Sequence, residues 1–358
     1  MLLELTITLV KVLFIIGITV GFFAPVLTWV ERKQSAIMQD RVGANRADIM
    51  GFTALGLFHA IADAIKMFTK EDFIPQGANR FLHTLSPIIA VIPAILTFAV
   101  VPFGGQYELW GTQVNLVISD LDVGLLFVFA IASIATYGYV ISGWASNSNW
   151  SLLGSMRTAS QMISYEVTMG LTIIGVLMVY GSMKLTEIGA AQEDFLSWGF
   201  FMQPLGFFMF LTASIAENKR IPFDAPEAES ELVAGYFTEY SGLKFGMFFM
   251  SEFIEMVTIG AIVTVLFFGA WHIPFLPSAT LLSWLDFLGT NWANLVLMLI
   301  HIGVFFSKVI FFIWFQMTIR WTLPRFRYDQ IMKLGWKILL PLSLANILIT
   351  GIVILAIN

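Results

Sequence analysis

Eight long apolar runs constrain this chain more than any other feature. A helix that crosses a bilayer needs roughly 20 predominantly apolar residues. Segments 5–30, 85–103, 122–144, 159–180, 199–216, 238–270, 292–315 and 336–357 approach or exceed that length. A water-soluble body of 358 residues would have to clothe itself in charge, yet only 12% of this chain is charged, against roughly 25% in soluble domains. The bilayer is therefore the solvent for most of it. The fold class that follows is an all-α integral membrane protein, with about eight transmembrane helices in a single membrane domain, 1–358. The first run lacks a basic start and is too long for a cleavable leader, so it reads as a retained span.

Basic residues set the expected orientation, because Lys and Arg collect in cytoplasmic connections. Arg32, Lys33, Arg41, Arg46, Lys66, Lys70 and Arg80 lie in the first connection, and Arg157 in the third. Lys219 and Arg220 lie in the fifth; Arg320, Arg325, Arg327 and Lys333 lie in the seventh. The even-numbered connections contain only Lys184. The odd connections are thus expected on the cytoplasmic side and both termini on the other. Within the first connection, apolar residues over about 52–69 recur at helical spacing. His59, Asp63, Lys66 and Lys70 interrupt them as one polar stripe. That pattern predicts an amphipathic helix lying in the interface or packed on a neighbouring protein.

The absence of cysteine removes disulfides, thiolate zinc sites and cysteine-ligated iron–sulfur clusters. His59, His83, His272 and His301 are scattered, and no metal site is expected. No glycine-rich nucleotide loop follows a strand pattern, and a net charge of −5 gives no footprint for nucleic acid. Any redox chemistry must then be carried on other subunits.

Charged residues inside the spans are informative because each costs roughly 2.5–3.5 kcal/mol at the bilayer centre, even on the lenient insertion scale. Lys11 and Lys244 sit near helix ends and can reach the interface. Glu166, Glu252 and Glu255 cannot; the last two lie three residues apart on one helix face. In the fifth connection Glu217, Asp224, Glu227, Glu229 and Glu231 precede Glu239, opposed only by Lys219 and Arg220. An acidic run is often a solvated loop. A partly buried run would instead hold carboxyls with raised pKa values, able to take up and release protons.

Five motifs, in order between the spans, resemble the family of membrane-arm, quinone-site subunits of respiratory NADH:quinone oxidoreductase, the complex I subunit 1 family. They are Glu31–Lys33 with Gln39–Arg46, the helix with Asp63, Lys66, Lys70 and Glu71, Ser146–Glu166, Ala216–Gly242 and Arg320–Met332. Ala44, Ala225-Pro226 and the acid at Glu255 depart from the commonest family pattern.

The resemblance implies a subunit abutting the hydrophilic arm, with no redox centre of its own. Quinone would be the substrate, entering from the lipid. NADH, FMN and iron–sulfur clusters would reside on partner subunits. Arg41, Arg46, Asp63 and Glu227 would line or brace a quinone chamber. Glu217, Asp224, Glu227, Glu229 and Glu231 would begin a proton pathway that Glu239, Glu252 and Glu166 carry into the membrane. Arg320, Arg325, Arg327, Tyr328 and Asp329 suggest partner docking. The implied partners are the hydrophilic-arm quinone-site subunits and neighbouring small membrane subunits. A bacterial inner membrane is expected in preference to the mitochondrial one. The competing readings are a homologous membrane anchor of an energy-converting hydrogenase or other-donor dehydrogenase, and a stand-alone proton-coupled transporter.

Overall fold

A computed structural model of the chain describes residues 2–357. Among the described residues, seven helices are long and apolar enough to cross a membrane: α1 (Glu4–Met38), α3 (Arg80–Ala99), α4 (Gly124–Ala145), α5 (Asn149–Tyr180), α10 (Gly242–Phe267), α12 (Thr290–Thr322) and α13 (Tyr328–Ile357). Between α1 and α3 lies α2 (Phe58–Thr69). After α5 come α6 (Leu185–Ala190), α7 (Gly199–Met202) and α8 (Pro204–Glu217). The short α9 (Glu229–Leu232) precedes α10, and α11 (Ser278–Leu285) precedes α12.

Boundaries depart from the sequence expectation where single residues override apolar content. The expected run 199–216 is two helices, because Gln203 leaves helical geometry (φ −137°, ψ 59°) and Pro204 opens the second. Proline has no N–H to donate and suits a first helical turn. The amphipathic helix begins at Phe58, later than 52, because Leu55 has a left-handed φ of 56°. The second connection carries an unexpected β-hairpin, β1 (Gln106–Leu109) against β2 (Thr112–Asn115). Its two-residue turn, Trp110-Gly111, has positive φ at both positions, as a type I′ turn requires.

Lipid tails are as apolar as leucine, so helices in a bilayer associate through close packing and buried polar contacts. Both are present. A Cβ on Gly138 of α4 would lie 2.8 Å from the Ala90 nitrogen of α3, so only glycine permits that approach. On α5, a Cβ at Gly154 would come 2.6 Å from the Gly235 Cα, which fixes the 235–237 turn against that helix. Gln203, at the helix break, donates to Thr350 Oγ1 at 2.7 Å and accepts from Asn346 at 2.9 Å, clasping α13.

Helix α10 is the centre of the bundle. From Phe253 to Phe267 every residue except Glu255 is buried. It packs on α3, α12 and the α2 helix. Its two ends are gripped by charge. Lys244 pairs with Asp72 at 3.0 Å. Lys308 of α12 donates to the Phe268, Ala270 and His272 carbonyls at 2.7, 3.1 and 2.6 Å. That arrangement directs all three amine donors to carbonyls of the turn that follows the helix.

Candidate functional site: a buried charge network

The segment between α8 and α10 is folded into the bundle instead of standing in solvent. Gln161 of α5 donates to both the Ala216 and Phe223 carbonyls at 2.7 Å, pinning the two ends of one bend. The Phe326 N–H donates to the Pro222 carbonyl at 2.9 Å, docking the 323–327 stretch on the same bend. A Cβ on Gly235, whose φ is +60°, would fall 2.0 Å from the Pro226 carbonyl oxygen. Those contacts bring Asp224, Glu227 and Tyr236 inward.

Arg220 is the hub of the resulting network. Its side chain is 7% exposed, and its guanidinium bonds Glu31 of α1 at 2.8 Å. It also approaches Glu252 of α10 at 3.7 Å and lies over the Phe253 ring. The other Glu31 oxygen takes Arg320 of α12, again at 2.8 Å. A planar guanidinium with several donors suits such multiple carboxylate contacts. From Glu252 the chain continues through the Tyr236 hydroxyl, which lies 2.9 Å from both Glu252 Oε1 and Glu227 Oε1. Asp224 is bound by Arg325 at 2.7 Å. Glu255 takes Lys219 at 3.3 Å and the Tyr139 hydroxyl at 3.0 Å.

Burial governs the protonation of the groups in this connection. The Glu227 carboxyl is pushed well above its ordinary range, first by desolvation and then by the neighbouring Glu252. Desolvation likewise raises Asp224 to about 6, although Arg325 pulls the other way. Tyr236 is raised well above 10 by burial and its two carboxylate neighbours, so its hydroxyl stays a donor. Protonatable acids, a neutral hydroxyl and fixed cations together make a network that can accept and pass protons.

The structure brings only some of the residues singled out in the sequence together. Glu217, Asp224, Glu227 and Glu252 are gathered in or beside the network. Glu231 pairs with Arg157 at its exposed margin, at 2.5 Å, while Glu239 is half-buried in the turn before α10. Glu166 is on α5 and accepts from Ser133 of α4. The side chain of Glu229 lies outside the described residues. Asp63, on α2, pairs with Arg32 at 2.6 Å and Lys66 at 3.6 Å. Arg41 and Arg46 are exposed, Arg41 resting on Gln39 at 2.7 Å. The backbone around Arg46 is held to α2 by His59, whose Nε2 accepts from the Arg46 and Ala47 N–H groups at 3.1 Å. Arg320 and Arg325 point into the network. Arg327 and Asp329 pair with each other at an exposed corner, at 3.0 Å, and Tyr328 receives the Arg157 guanidinium over its ring.

Sequence reasoning missed four central participants: Glu31 and Arg220 as a clamp, and Tyr236 and Tyr139 as connecting hydroxyls. Glu31 and Arg220 are 189 residues apart, so spacing could not pair them. The tyrosines read as ordinary aromatic content in an aromatic-rich chain. Their one signal is proximity in sequence or span to buried acids.

Fold and site define a multi-pass membrane protein whose polar interior connects carboxyls on one side of the bundle with carboxyls inside it. Among the described residues no group of three His, Cys, Asp or Glu could hold a metal ion. A family profile described as NADH dehydrogenase matches residues 10–351. The H subunit of NADH-quinone oxidoreductase from Flavobacterium johnsoniae is 47% identical over 329 residues, 92% of this chain and 89% of that protein. The first of the H subunits of Geobacter metallireducens is 47% identical over 349 residues, 98% and 97% of the two chains. The second of those of Rhizobium meliloti is 46% identical over 343 residues, 96% of each. The chain belongs to the NADH dehydrogenase family, within the branch formed by the H subunits of NADH-quinone oxidoreductase.

Proposed function

We propose that this chain is the quinone-site membrane subunit of a proton-translocating NADH-quinone oxidoreductase in a bacterial inner membrane. The observation that carries the reading is the run of ion pairs and hydrogen bonds Arg320–Glu31–Arg220–Glu252–Tyr236–Glu227, which ties α1, α10 and α12 to one acidic connection. Reduction of a quinone to a quinol consumes two electrons and two protons. Negative charge arising at the headgroup raises the proton affinity of nearby carboxyls. In this reading the Glu227–Tyr236–Glu252 group responds to that charge by taking up a proton, and Glu217 and Glu166 pass the disturbance into the membrane. Arg41, Arg46 and Asp63 brace the quinone chamber on the α1–α2 side. The corner carrying Arg327, Tyr328 and Asp329 faces hydrophilic-arm partners, which hold FMN and iron–sulfur clusters and deliver electrons from NADH.

Affinity purification of the tagged chain in mild detergent tests the reading. Flavin and iron–sulfur subunits are expected to co-purify, with NADH:quinone activity blocked by a quinone-site inhibitor. Recovery of the chain alone, stable and monodisperse, would overturn it in favour of a stand-alone transporter. Glu227→Gln removes a proton-exchanging group while keeping its hydrogen-bonding shape. Quinone reduction should fall by roughly an order of magnitude, about 1.4 kcal/mol of barrier. NADH oxidation by artificial acceptors at the flavin should persist.

A further inference from the structure

We propose that Glu255 and Lys219 form a proton-relaying pair that joins the Glu227–Tyr236–Glu252 group to a cavity lined by Glu217. The inference rests on the proton-translocation reading above and adds a link to it.

Three observations carry it. First, Glu255 follows Glu252 by three residues on α10, on the same face, so a proton leaving one carboxyl has an acceptor one helical turn away. The Tyr139 hydroxyl touches Glu255 at 3.0 Å and Ser251 at 3.1 Å, and the Tyr139 ring packs against the edge of Tyr236. Secondly, Lys219 is 1% exposed, with its ammonium 3.3 Å from Glu255 and 3.8 Å above the Tyr139 ring. It occupies a left-handed position (φ 55°) after the end of α8, where glycine or asparagine is the favoured residue. That strained backbone position carries a long charged side chain turned into the bundle.

The third observation is the space beyond the pair. A cavity of about 60 Å³ between α3, α4, α5, α8 and α10 is lined by Glu217, Asn218 and Glu255 in an otherwise mostly apolar wall. Asn218 is 1% exposed, and neither polar atom of its amide has a protein partner. A buried amide beside two carboxyls marks a polar end of the cavity, and the volume has room for a few water molecules. Burial raises Glu217 to about 8, with Glu166 and then Glu255 adding to the shift, so this carboxyl exchanges its proton near neutral pH.

The transfer balances at every step. A proton moves from the Glu252 carboxyl to the Glu255 carboxylate, leaving Glu252 charged beside Arg220 and Glu255 neutral. Glu255 then releases the proton to Glu217 through cavity water and regains its charge opposite Lys219. While Glu255 is neutral, the Lys219 ammonium turns to the Glu217 carboxylate, so the buried cation is never left without an anion. A purely structural pair, tying the end of α8 onto α10, would need no such traffic.

The two roles separate in the complete complex reconstituted into liposomes, where proton translocation is measured per NADH oxidised. Glu255→Gln should lower that ratio by half or more, with Glu255→Asp restoring much of it. Because Glu255→Gln strands the lysine, the double variant Glu255→Gln/Lys219→Met is the deciding one: it removes both charges together. A reduced ratio in the double variant supports the relay; a wild-type ratio overturns it. Infrared difference spectra of the complex after a pH jump supply a readout that needs no quinone turnover. Loss of a carboxylic C=O band in Glu255→Gln supports the inference, and an unchanged spectrum overturns it. Failure of the wild-type complex to reduce quinone at all would instead count against the parent reading.

Discussion

Asp224 shows how much one side chain reports. Its carboxyl lies beside a guanidinium, which alone would lower its pKa, yet desolvation wins and raises it from 3.8 to about 6. A carboxyl raised by folding favours the folded state at low pH. Its contribution is fully present below 3.8 and is lost as the pH rises through about 6, a change on the order of 3 kcal/mol. Asp224→Asn should flatten that part of the pH–stability profile. Thermal denaturation of the purified complex across the window checks it, and an unchanged slope would show that Arg325 controls the group after all. Arg325→Met makes the complementary case. It leaves Asp224 without its cation and should destabilise the docked 323–327 stretch by about 3 kcal/mol.

Among the elements, the contact between α5 and the 235–237 turn sets the position of Tyr236. Gly154→Ala would drive a methyl against the Gly235 backbone. Overpacking of this kind costs about 1–3 kcal/mol, and here it displaces the hydroxyl that bridges Glu227 and Glu252. Quinone reductase activity should fall in step with loss of assembled complex on native gels, whereas Gly170→Ala, with open space around its Cβ, should be silent. The broken helix offers a second test. Gln203→Leu forfeits two buried hydrogen bonds to α13, worth about 2 kcal/mol together, and should lower the thermal midpoint. The sequence contained part of this. Seven apolar runs became long helices because twenty apolar residues have few alternatives in a bilayer. The break at Gln203 was hidden, since one amide in a long apolar run barely alters mean hydropathy. The hairpin turn at Trp110-Gly111 was equally obscure, because Trp is an unusual residue at positive φ.

For the molecule as a whole, the positive-inside rule predicts the charge network on the cytoplasmic side and the β-hairpin on the other. Since the chain has no cysteine, a single introduced thiol gives an unambiguous signal. A membrane-impermeant maleimide should label Gln113→Cys in intact right-side-out vesicles, and Asn149→Cys only after permeabilisation. The reverse pattern would invert the orientation and detach the acid cluster from any cytoplasmic quinone site. At this scale the site was legible as an inventory of acids, and illegible as a circuit. Glu252 and Glu255 announced themselves by their cost in a membrane. Their links to Glu31, Lys219 and Arg220 required the fold, because those partners arrive from other helices and from distant parts of the chain.

The anchoring of α10 at both ends bears on how such a circuit could work. Lys308 holds the carbonyls beyond its last turn and Lys244 ties its first turn to Asp72. A helix fastened in this way behaves as a fixed beam. A change of charge at Glu252 or Glu255, partway along, then meets a helix tied at both ends. The parts free to respond are lighter: the Lys219 ammonium, the Tyr236 hydroxyl, or a proton on one of the carboxyls. If the chain moves protons as proposed above, the rigidity of the frame is what would convert a local change of charge into their directed movement, much as a stiff mount makes a spring's small extension readable.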